Sequence, residues 1–137
     1  MGRYTAWAMS REVVSTSKGL AKYKIFDLFF VYAYHRITHP SKERTDDVDD
    51  VLNSFMFLFG TSKDAARNYL NALLSSEGYF SIKEYDSFDS SHGYLMIKQS
   101  KKESAKNAYD RLISDENFVE FMERNVSPLA RRGDIPK

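Results

Sequence analysis

The 137-residue sequence has no cysteine, which excludes disulfides and thiolate metal sites and suits a reducing interior. It also lacks a long apolar run. The longest, Ile25 to Tyr34, is ten residues and carries Asp27, too short for a membrane span. No signal-peptide pattern is visible, and the Met1-Gly2 start lacks Ser or Thr at position 6, so the myristoylation pattern is missed. A cytoplasmic protein is the expectation. There is no Gly-rich phosphate loop, no internal repeat and no low-complexity tract. A strong charge of one sign is missing too: 20 basic against 19 acidic side chains leave a net +1.

What is present is apolar and aromatic. Hydrophobic residues make up 42% and aromatics 15%, enough for one domain with a sizeable core. The small net charge hides a polarity along the chain. Residues 1–45 hold eight basic and three acidic side chains, whereas residues 46–60 hold four aspartates and nothing basic.

The stretch Thr61 to Lys98 organises the rest. Thr61-Ser62-Lys63-Asp64 reads as a helix start, a hydroxyl to cap with an acid three residues on. Ala66, Leu70, Leu73 and Leu74 then share one helical face, while Asp64, Arg67, Asn68, Asn71 and Ser75 take the other. Gly78 is expected to end the helix in the left-handed cap conformation. Two runs alternating at period two follow, Tyr79 to Tyr85 and Tyr94 to Lys98, joined by the polar stretch Asp86 to Gly93. Upstream, Asp46 to Phe59 predicts a helix, with Val48, Val51, Leu52, Phe55 and Phe59 inward and its acids in the first turn, where the macrodipole favours them. Only Gly60 separates it from Thr61, a helix-turn-helix corner.

Before the corner, Tyr4 to Val14 is a strand or an irregular lead-in, and Ser15 to Gly19 a turn. A helix over Leu20 to Thr38 follows, apolar almost all round and stopped by Pro40. After the hairpin come a mixed-charge helix, Lys101 to Ile113, and another capped by Ser114 with Phe118, Val119, Phe121 and Met122 inward. From Ser127-Pro128 a mobile basic tail is expected. The class is α+β, mostly α.

This order of elements, and the run Thr61-Ser62-Lys63-Asp64-Ala65-Ala66-Arg67-Asn68-Tyr69-Leu70 through Gly78-Tyr79-Phe80, resembles the winged-helix DNA-binding domain. The likeness divides the chain into a lead-in (1–19), a winged-helix domain (20–99), a C-terminal helical extension (100–126) and a basic tail (127–137). A weaker likeness, at Val13–Val31, is to the N-terminal domains of some plasmid and phage replication initiators. The resemblance implies a third helix in the major groove and a hairpin wing touching backbone or minor groove.

Amides at the start of that helix, with Thr61, Ser62 and Lys63, suit a phosphate. Arg67 suits guanine, and Asn68 or Asn71 adenine. Lys83 and Lys98, one in each hairpin run, complete the DNA-binding set. The expected function is sequence-specific binding of double-stranded DNA, as a transcription regulator or a plasmid or viral origin or centromere binder. The alternative is a winged helix used for protein contact, such as a viral adaptor or inhibitor, its acidic second helix and hairpin facing a basic partner. A homodimer is expected, because one chain leaves much of the aromatic first helix uncovered unless the C-terminal helices fold back on it. Those helices, through Tyr109, Leu112, Phe118 and Phe121, are the other candidate interface.

Other motifs point nowhere further. His35 and His39 stand at the i, i+4 spacing zinc can use, with His92 a possible third ligand, but two imidazoles at a helix end are the plainer reading. Arg132-Gly133-Asp134 is a chance tripeptide. Glu77, Glu84, Asp86 and Asp89 lack the acid-then-acid-x-lysine spacing of a metal-dependent nuclease, and no nucleophile has a matched base. No enzyme, no metal and no cofactor are expected.

Overall fold

A computed structural model describes residues 23–39, 47–84 and 93–131. The lead-in, residues 20–22 of the expected first helix, most of the polar stretch between the hairpin strands with His92, and the last residues with Arg132-Gly133-Asp134 lie outside the described residues; the first helix begins at Ile25 rather than Leu20, since Lys24 is extended. Six helices, one 3₁₀ turn and a two-stranded antiparallel sheet are described, so the fold is α+β and mostly helical. In chain order these are α1 (Ile25–Thr38), α2 (Val48–Phe59), α3 (Lys63–Leu74), β1 (Phe80–Glu84) and β2 (Gly93–Ile97). The turn Gln99–Lys101 leads to α4 (Lys102–Ile113), α5 (Glu116–Arg124) and the short α6 (Pro128–Arg131).

α1 runs through the middle. The Asp27 carboxylate accepts the Lys24 amide at 3.1 Å to start it, and Thr38 Oγ1 donates to the Tyr34 carbonyl at 2.9 Å in its last turn. Its apolar circumference is covered by the chain itself. Phe29 meets Phe55 of α2 edge-on at 5.0 Å, and Tyr69 of α3 lies within ring-contact range of both Phe26 and Phe29. Phe30 stacks on Phe80 of β1, and Tyr34 stacks on Tyr109 of α4 at 4.5 Å. The C-terminal helices thus fold back on α1, and the chain as a whole buries Leu28 to Val31, Ala33 and Tyr34 and leaves Ile25, Phe26, Tyr32 and Ile37 half-buried.

One charge is carried into this interior. Arg36 is 2% exposed, yet its Nη2 meets the Asp50 carboxylate of α2 at 2.7 Å, its Nη1 donates to Tyr32, and its guanidinium lies over the Tyr32 ring. A buried charge survives only when paired in this way.

α2 and α3 meet at a corner of three residues. Gly60 ends α2 at φ 68°, the left-handed conformation that lets the chain reverse without a Cβ clash. The side chain that caps α3 is Ser62, accepting from the Ala65 amide at 3.1 Å, rather than Thr61 one residue earlier. Gly78 also differs from expectation. α3 stops at Leu74, and Gly60 is the only positive-φ glycine among the described residues. Gly78 is buried instead with its backbone against the end of α3, where a Cβ would fall 2.0 Å from the Leu73 carbonyl oxygen.

The hairpin pairs Phe80 with Ile97 and Glu84 with Gly93, so β1 falls within the expected run and β2 starts and ends one residue before its own. Phe80 and Leu95 point into the core. A single antiparallel bridge, Asp47 to Tyr94, pins β2 to the start of α2, where Asp47 also accepts the Asp50 amide as cap. Asp115, not Ser114, caps α5. Of the expected tail, residues 127–131 are described and held: the Ser127 amide donates to the Leu58 carbonyl, its hydroxyl to that of Phe57, and Ala130 is buried.

Tyr23 fastens the start of α1 to α5, with its ring edge-on to Phe118 and its hydroxyl donating to Asp115. Burial first, then that hydrogen bond and the charges of Asp115 and Asp27, push the hydroxyl up to about 12 from 10.0. A phenol whose pKa is raised by folding stabilises the native state below its unfolded pKa and loses that contribution as pH rises. Stability should therefore fall between pH 10.0 and about 12. Burial moves Tyr34 and Tyr109 the same way. Urea midpoints across this range should fall less steeply for Tyr23→Phe than for the parent; equal slopes would reject the role given to this hydroxyl.

Candidate nucleic-acid interface

α3 is sorted cleanly into two faces. Ala66, Tyr69, Leu70 and Leu73 are buried, while Lys63, Asp64, Arg67, Asn68 and Asn71 are exposed. Positions 63 and 67, and 64, 68 and 71, stand one or two turns apart, so the polar set forms one outward surface. Because Gly60 turns the chain directly into α3, this surface starts at the corner itself. Its charged members are Lys63 and Arg67 against Asp64.

The expected site residues divide by what they touch. Ser62 is exposed, with its hydroxyl oxygen engaged in the cap. Thr61 Oγ1 is buried and has no hydrogen-bond partner among the described residues, so it faces inward. Lys83 is exposed on β1, across the ladder from Tyr94. Lys98 is committed elsewhere: its Nζ donates to the Ser75 carbonyl at 2.6 Å and approaches that of Ser76. It thereby neutralises carbonyls left over at the end of α3 and holds the strand exit against that helix.

Aspartates that looked like one acidic block play separate parts. Asp47 caps α2 and bridges β2, and Asp50 turns to Arg36. They lie at the opposite end of α2 from the corner, roughly 18 Å along a helix of 12 residues. Of the basic N-terminal third, Lys24 and Arg36 fall among the described residues, and Arg36 is used in the core.

His35 and His39 stack face to face at 4.3 Å rather than converging their nitrogens, and His35 Nδ1 lies 3.3 Å from the Tyr109 hydroxyl. No group of three His, Cys, Asp or Glu side chains that could hold a metal ion occurs among the described residues. No described helix is long and apolar enough to cross a membrane. Around α3, the inward Tyr69 and the Asp47–Tyr94 bridge escaped sequence reasoning. Helical spacing from Ala66 contains the first; nothing local signals the second.

Comparison with known proteins finds no matching family model, no matching curated protein and no matching solved structure.

Proposed function

We propose that this chain is a winged-helix protein that binds double-stranded DNA with sequence preference, acting as a regulator or as an origin or centromere binder. The carrying observation is α3: a helix set directly behind a three-residue corner, inner face in the core, outer face presenting Lys63, Arg67, Asn68 and Asn71 together. Lys63 beside the Ser62 cap suits a phosphate, and Arg67 and the two asparagines suit base edges. The hairpin supports the same reading, since the Asp47–Tyr94 bridge and Lys98 tie it to the helices flanking the corner. The separation of Asp47, Asp49 and Asp50 from the start of α3 favours DNA over a basic protein partner at this surface.

Binding to random and genomic DNA fragments, titrated with salt, is the direct test. Arg67→Ala should weaken a cognate site by about 1–3 kcal/mol and relax base preference. Lys63→Ala should weaken all sequences alike and reduce the salt slope by about one. Unchanged affinity and preference in both variants would remove α3 from the DNA surface.

A further inference from the structure

Two helices outside the corner carry matching charge rails. On α4, Lys102, Lys106 and Asp110 stand four residues apart, and on α5, Glu116, Glu120 and Arg124 do the same; all six are exposed. One rail reads plus, plus, minus and the other minus, minus, plus, at the same rise of roughly 6 Å per step. Laid parallel, every charge meets its opposite. Laid antiparallel, Lys102 would face Arg124 and Asp110 would face Glu116, so the pattern selects a direction as well as a partner.

Apolar surface accompanies each rail. Lys102 and Lys106 border an open groove of about 470 Å³ floored by Tyr34, Ile37, Leu95, Met96 and Ile97, with Met96 38% exposed. Beside the acidic rail, Ile113 is 40% exposed and borders a smaller groove with the half-buried Val119. The Lys106–Asp110 and Glu120–Arg124 pairs at 2.7 and 3.4 Å lie within their own rails and are open to water, where such pairs contribute little. They can be exchanged for contacts across an interface.

From this we infer that a second copy of the chain docks its α5 rail against the α4 rail, head to tail, with Ile113 and Val119 entering the groove beside Lys102. The two surfaces differ, so each copy keeps one of them open for a further neighbour, and association extends into an open chain or closes into a ring. This surface is independent of the nucleic-acid reading of α3, and its test needs no DNA.

Sedimentation of the full chain over a wide concentration range, at low and high salt, provides that test. The mean mass should climb above 15.9 kDa with concentration and fall back as salt is added. The double reversals K102E/K106E and E116K/E120K should each weaken association at least tenfold, and an equimolar mixture of the two should recover it. D110R and R124D should behave as a second complementary pair, which guards against misfolding of either double variant. A constant mass near 15.9 kDa would overturn the inference, as would association that survives the reversals or a mixture that fails to recover.

Discussion

Alanine at Gly78 is expected to destabilise the protein by about 3 kcal/mol or more, at the upper end of overpacking effects. The added Cβ would stand 2.0 Å from the Leu73 carbonyl oxygen and 2.7 Å from its Cα, and both are backbone atoms that no rotamer change can move aside. Relief requires shifting the end of α3 away from β1. At Gly60 the nearest atom to a new Cβ is 3.6 Å away, and the obstacle is φ 68° alone. Alanine there should cost about 1–2 kcal/mol, and asparagine, which tolerates that region, less. Urea unfolding of alanine and asparagine variants at both sites separates the two causes. Asparagine should recover stability at Gly60 and not at Gly78; a Gly78→Ala variant within about 1 kcal/mol of the parent would contradict the close approach.

Phe55→Ala should cost about 3–5 kcal/mol, a large part of the ~5–15 kcal/mol that holds a domain folded. Phe55 is 0% exposed and touches the rings of Phe29, Tyr32 and Phe59. The first two belong to α1, so truncation opens a cavity between the central helix and the helix that leads into the corner. Phe55→Leu keeps most of the volume and should lose less than half as much. Calorimetry of the three proteins decides this, and a Phe55→Ala melting point within about 3 °C of the parent would reject the packing described.

α3 was legible because its apolar spacing is regular and its outer face contains no apolar residue, so one period explains both. Its cap was legible only to within one residue. Thr61 and Ser62 are both hydroxyls with the right reach, and the choice falls to Ser62 because Gly60 sets where the helix can begin. Gly60 ends a helix and Gly78 lies four residues beyond one, and sequence records their identity but not whether φ or space demands it. For α1 the period is silent: a helix apolar on all sides has no inward face until its neighbours are known. Ser127-Pro128 did contain a signal. A serine before a proline suits a cap and first helical position, and Ser127 Oγ accepts from the Ala130 amide at 3.3 Å. Charge counting masked it. Lys98 and Asp47 read as surface charges because their partners, Ser75 and Tyr94, are set by the hairpin's position rather than by neighbours in sequence.

The clasp between Ser127 and the end of α2 has a consequence for the order of assembly. Its hydroxyl reaches the Phe57 carbonyl across 70 residues of chain, and the neighbouring amide reaches Leu58. During synthesis the corner and α3 leave the ribosome well before that serine. The last turn of α2 must therefore spend that interval with water at its carbonyls, and its docking to α1 gains this fastening only when Ser127 arrives. Such a distant closure raises the mean loop length the chain must fold through, which slows folding relative to the local helix pairs. A nascent chain stalled before Ser127 would expose the corner in its loosest form, so a turn made later acts as a lock on one made earlier.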